Sequence, residues 1–201
     1  MLGWMVFTAV GCADELSVPP YTPLTTVASE HYYENAMAVG VENANLWNIT
    51  GHPNYWINAS LLTWRWQLDD VGNPDWRRGN TEWVTSVYYE DVLHGVEHHF
   101  EGFLCGPRYN FVQPGWNVTP FVEARVGCLF ADSQTNPAGL GQDFNFTFTV
   151  SPGIQYFLSP NWSISIAAMY QHISNGGLSE PSRVNNSIDS IGPIINASYH
   201  F

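Results

Sequence analysis

Two side chains near the C-terminus, His172 and Ser174 in the run Tyr170-Gln-His-Ile-Ser-Asn-Gly-Gly177, are the residues of this chain best placed for chemistry. Two positions apart on a β-strand, they share a face, because successive side chains alternate. Trp162, Ile164, Ile166, Ala168 and Tyr170 have the same parity, so a base and a hydroxyl nucleophile stand on an apolar face. The last stretch of chain supplies an acid. From Asp189 to Phe201 the odd positions read Asp, Ile, Pro, Ile, Ala, Tyr, Phe. A hairpin with His172 opposite Asp189 sets Trp162 opposite Tyr199, and the two apolar faces then coincide. Ser174, His172 and Asp189 converge as nucleophile, base and orienting acid, the constellation of acyl-transfer hydrolases. The plainer alternative is that they are ordinary polar residues where a strand leaves an apolar layer.

The elements that must position this group are strands. Candidates lie at about 31–43, 54–68, 80–92, 96–112, 119–131, 142–158, 162–174 and 188–201, most of them separated by Pro-, Gly- and Asn-rich turns. The later ones alternate cleanly: Phe144, Phe146, Phe148 and Val150 share a face opposite Asn145, Thr147, Thr149 and Ser151. An all-β fold follows, expected as an eight-stranded antiparallel transmembrane β-barrel over residues 31–201. A soluble sandwich would show the same period with the polar face outward. Aromatic residues at strand ends (Trp116, Trp162, Tyr199) and the terminal Phe201 favour the barrel. So does composition: aromatic residues are 15% of the 201 and charged ones 12%, half the ~25% usual for globular chains. No apolar run approaches the ~20 residues of a membrane helix.

The rest of the chain adds context. Six Lys and Arg face 18 Asp and Glu, which argues against a nucleic-acid partner. Residues 1–13 are expected to be a signal segment, atypical in lacking a basic start, with Gly11-Cys12-Ala13 as a cleavage region. Acylation of Cys12 is the alternative, and Ala9 fits it poorly. Residues 14–30, with Ser17-Val-Pro-Pro-Tyr-Thr-Pro23, read as an extended lead-in. Cys105 and Cys128 fall on neighbouring strands, and a disulfide between them is left open.

In its second half the chain resembles the lipid A 3-O-deacylase (PagL) family. The likeness rests on His172-Ile-Ser-Asn-Gly-Gly177, Asn185-Asn-Ser-Ile-Asp189-Ser-Ile-Gly-Pro193 and the terminal Ser198-Tyr-His-Phe201. Gly106-Pro-Arg-Tyr-Asn-Phe111, Pro120-Phe-Val-Glu123 and Gly141-Gln-Asp-Phe-Asn-Phe146 extend it over about residues 96–201. The resemblance implies an eight-stranded outer-membrane barrel, facing the outer leaflet, that hydrolyses the ester-linked acyl chain at the 3 position of lipid A in lipopolysaccharide. By position, Ser174 is the implied nucleophile, His172 the base and Asp189 the acid, one methylene shorter than the family's Glu. Gly176 stands where the family usually has Ala, and about three extra residues separate Pro181 from Asn185.

Backbone N–H groups of Asn175, Gly176 and Gly177 are the expected oxyanion donors, since glycine opens unusual dihedrals. Asn185 is a turn residue or a substrate-binding one, and Glu180 is the fallback acid. No cofactor or metal is expected for this chemistry. His94-Gly-Val-Glu97-His98 matches a zinc-peptidase pattern, but that pattern needs a helix, and Gly95 and Val96 suit a strand or loop. Seven N-x-Ser/Thr sequons, several inside expected strands, carry no functional reading. Alternatives to the esterase are a non-catalytic structural or adhesive barrel and an outer-membrane phospholipase acting on glycerophospholipids.

Overall fold

The structure, a computed structural model, describes residues 31–49, 54–73, 75–133 and 138–201. The expected signal segment at 1–13, the lead-in at 14–30 and parts of three expected turns lie outside those residues. Eight antiparallel strands close into a barrel: β1 Met37–Asn48, β2 Trp56–Gln67, β3 Gly79–His94, β4 His99–Phe111, β5 Val118–Ala131, β6 Phe144–Ser159, β7 Trp162–Ser174 and β8 Ile188–His200. Each strand pairs with the next in sequence, and β1 returns to β8 through pairs such as Val39↔Tyr199 and Trp47↔Ile191.

Alternation decides which side chains point where. Phe144, Phe146, Phe148, Val150, Ile154, Ile164, Ile166, Ile191 and Ile195 are exposed on the outer wall. Asn145, Thr147, Thr149, Ser151 and Gln171 from the same strands are buried inside. An apolar wall outside a polar interior is the arrangement that suits lipid around the barrel. The interior is filled, as eight strands allow. Arg65 and Arg125 meet Glu42 at 2.6 and 2.9 Å, Arg125 also pairs with Glu123, and the Arg108 guanidinium lies 3.6 Å over the Phe121 ring.

β1 begins six residues later than the sequence suggests. Residues 31–36 instead close the end of the barrel that carries the C-terminus. His31 stacks on Phe157 at 4.0 Å, and Tyr32 is buried against Val112 and Phe157. Asn43 and Asn45 of β1 and Asn58 and Ser60 of β2 face outward and bond to one another, Asn58 Nδ2 reaching Asn45 Oδ1 at 3.0 Å. Those outward amides blur the apolar alternation by which the strands would be set. Cys105 and Cys128 are free thiols on the outer wall, set opposite Val126 and Phe103.

Candidate active site

β7 and β8 form the hairpin that carries the site. Their register pairs Trp162 with Tyr199 and His172 with Asp189, as the shared apolar parity requires. The pair lies at the end of the barrel away from the C-terminus, where a loop joins Ser174 to Ile188. His172 Nδ1 is 2.8 Å from Asp189 Oδ1, with side chains 29% and 22% exposed. Both therefore sit on the outer wall yet are partly shielded. An Asp189 acceptor at Nδ1 fixes that nitrogen as the donor and leaves Nε2 as the acceptor. Phe148 of β6 flanks the imidazole with ring centroids 5.2 Å apart. Tyr170, one step down the same face, donates its hydroxyl to the same Asp189 oxygen at 2.5 Å.

Ser174 is on the same face, at the last position of β7. Its Oγ accepts the Asn185 amide at 2.9 Å and the Gly176 N–H at 3.2 Å. It is not hydrogen-bonded to His172 in this resting arrangement, a contact that commonly tightens only when substrate binds. Of the three backbone donors expected around Ser174, Gly176 alone points at Oγ. The Asn175 N–H goes to Asn185 Oδ1 at 3.3 Å and the Gly177 N–H to Asn175 Oδ1 at 2.8 Å. The chain can curl this tightly because Gly176 and Gly177 adopt left-handed φ values of 65° and 82°. Asn185 is thus brought to Ser174 itself. Glu180 is exposed on the loop, and the carboxylate on the histidine is that of Asp189.

The side chains the sequence did not single out are Tyr170 and the groups beneath the loop. Tyr170 could have been found, since it shares the parity of His172 two positions earlier. Asn175 is fully buried and donates its amide to Leu140 O at 2.6 Å and Ser179 Oγ at 2.9 Å. Leu140 belongs to the β5–β6 connection, 35 residues away, and no local pattern announces that contact. The zinc-type pattern does not assemble. His98 pairs with Asp132 at 2.6 Å, while Glu97 is buried among other partners. Among the described residues, no group of three or more His, Cys, Asp or Glu side chains is placed to hold a metal.

Fold and site together define a membrane-type β-barrel whose outer wall carries the residue types of an ester hydrolase. The model of the lipid A 3-O-deacylase (PagL) family matches residues 60–198, and the chain belongs to that family. The match begins in β2, well before the stretch in which the motifs are legible. Among solved structures the barrel is similar to that of the outer membrane enzyme PagL, with a TM-score of 0.54 and 21% identity over 79% of this chain and 97% of that one. It is also similar to Neisserial surface protein A, with a TM-score of 0.58 and 15% identity over 84% of this chain and 100% of that one. At such identities these likenesses concern the fold. No curated protein matches the chain.

Proposed function

We propose that the protein removes the ester-linked 3-O-acyl chain of lipid A in the outer leaflet of the outer membrane, with Ser174 as nucleophile. The observation that carries this reading is the His172 Nδ1–Asp189 contact of 2.8 Å beside a serine whose Oγ already receives two donors. Family membership supplies the substrate class. Depth agrees with it: a strand of 13 residues at ~3.3 Å each, tilted by ~45°, climbs about 30 Å against an apolar band of ~25 Å. With the termini on the periplasmic side, His172 and Ser174 stand at the outer edge of the band. The ester linkages of lipid A lie there, between sugar and hydrocarbon.

In the reaction, Nε2 of His172 takes the hydroxyl proton as Ser174 Oγ adds to the ester carbonyl. Asp189 holds the tautomer and stabilises the imidazolium that forms. Negative charge develops on the carbonyl oxygen, close to the Gly176 N–H and the Asn185 amide, the two donors that now rest on Oγ. Removing one such donor typically costs ~3 kcal/mol of transition-state stabilisation. The tetrahedral adduct collapses, the sugar oxygen leaves with the proton from His172, and the acyl group remains on Ser174. Water, deprotonated by His172, then releases the hydroxy fatty acid and restores the serine.

The test is to offer the purified barrel in micelles two substrates, lipid A bearing its 3-O-hydroxyacyl chain and a glycerophospholipid. Mass spectrometry should find one hydroxy fatty acid released from the first and none from the second. Release from the phospholipid alone would replace the reading with a phospholipase. Release from neither, by a folded barrel, would leave a structural role.

A further inference from the structure

Glu97 lies in the turn between β3 and β4, in the segment resembling a zinc motif, and it is only 3% exposed. Its Oε2 accepts the Tyr55 hydroxyl at 2.5 Å. Its Oε1 accepts the Ser133 hydroxyl at 2.7 Å and the Leu140 N–H at 2.8 Å. Burial, and then the bond to Glu97, hold the Tyr55 phenol above its usual range, so it remains a donor. Among the described residues no Lys or Arg pairs with this carboxylate. A buried charge without a counter-ion is costly, and it is offset here by three donors, Tyr55 just before β2 and Ser133 and Leu140 of the β5–β6 connection. An amide would keep one accepting oxygen only, so either the Tyr55 bond would have to reverse, with the phenol accepting from the NH2 group, or Ser133 and Leu140 would lose their acceptor.

The same stretch of backbone that Glu97 grips also holds the nucleophile's loop. Leu140 is fully buried, and its carbonyl takes the Asn175 amide at 2.6 Å. Asn175 in turn fixes Gly177 through Oδ1 at 2.8 Å and meets Asn185 Oδ1 through its N–H at 3.3 Å. Asn185 then reaches Ser174 Oγ at 2.9 Å. A second route runs through Ser133, whose hydroxyl also accepts the Gly141 N–H at 3.2 Å. We propose that Glu97 is a positioning residue for the catalytic loop, setting the oxyanion donors around Ser174 through Leu140 and Asn175. The inference rests on the deacylase reading and adds to it a carboxylate 77 residues upstream of the nucleophile in sequence.

The test uses the full chain in micelles with lipid A carrying its 3-O-acyl chain. kcat and KM are measured for the parent, Glu97→Gln, Asn175→Ala and the double variant, with heat-dependent electrophoretic mobility reporting the folded barrel. Glu97→Gln should lower kcat about tenfold while leaving KM within about twofold, because donor geometry is disturbed and the lipid-binding wall is not. On one shared path the double variant should be no slower than Asn175→Ala alone. An unchanged kcat in folded Glu97→Gln, or losses that multiply in the double variant, would overturn the proposal while an active parent leaves the deacylase reading standing. If Glu97→Gln does not fold, Ser133→Ala removes one donor and keeps the charge. A kcat about threefold lower with KM unchanged is then expected, and parental kcat would overturn it. A parent inactive on lipid A removes the function on which the proposal rests.

Discussion

The hydroxyl of Tyr170 shares an Asp189 oxygen with His172, the two contacts being 2.5 and 2.8 Å. An aspartate is short for this task, and the phenol helps hold its carboxylate toward the imidazole. Tyr170→Phe should therefore lower kcat by about three- to tenfold, the net worth of one ordinary hydrogen bond, with KM little changed. Release of hydroxy fatty acid checks it. A parental kcat would show that β7 and β8 alone hold Asp189. At this scale the sequence was informative wherever chemistry followed strand parity: Ser174, His172 and Asp189 can be picked out two by two along β7 and across to β8. It named the Asn175 N–H but not the Asn175 side chain, whose role depends on Leu140 meeting it from another loop. Asn185 was legible as a turn residue or a substrate-binding one but not as a donor to Ser174, because its amide reaches that hydroxyl through the fold of the loop.

Among the elements, the β7–β8 connection does what a regular strand cannot, bending Gly176 and Gly177 into left-handed backbone two residues after Ser174. A Cβ on Gly176 would meet no atom within 4 Å, yet its φ is 65°. Gly176→Ala should then cost about 1 kcal/mol of backbone strain and no steric clash. The consequence should be confined to the loop: faster proteolytic nicking between 174 and 188 and a several-fold lower kcat, with the barrel's own unfolding unchanged. Equal nicking in parent and variant would mean the loop is not held by this conformation. Strand limits were legible where one face is unbroken Phe, Val or Ile, as in β6 and β7. They were misplaced at β1, where outward Asn43 and Asn45 interrupt the apolar row and where His31 and Tyr32 cap the barrel end.

The whole molecule reverses the usual placement of apolar and polar residues, and its stability rests on how the interior charges are matched. Arg125 is buried and serves Glu42 at 2.9 Å, Ser86 at 2.7 Å and Glu123. Truncating it takes one of two guanidinium partners from Glu42 and leaves Glu123 with only Arg108, at 3.9 Å. Arg125→Ala should destabilise the barrel by about 3–5 kcal/mol, seen as a lower urea midpoint in micelles, while kcat below that midpoint stays near the parental value. An unshifted midpoint would mean that water enters and solvates Glu42 and Glu123. The fold class was legible because a period of two fixes which face is apolar. Direction was not, since a sandwich and a membrane barrel share that period. The terminal Phe201 and the aromatic strand ends tipped the balance, and closure of β1 on β8 decides for the barrel.

Deacylation of lipid A at the outer wall of this barrel, through Ser174, is the proposed activity on which the other expectations rest. The direct measurement is mass spectrometry of lipid A from outer membranes containing the parent chain or Ser174→Ala. Lipid A should lose the mass of one 3-O-hydroxyacyl chain with the parent and keep it with the variant, both barrels being folded. Intact lipid A with a folded parent, or equal loss with both, would contradict it.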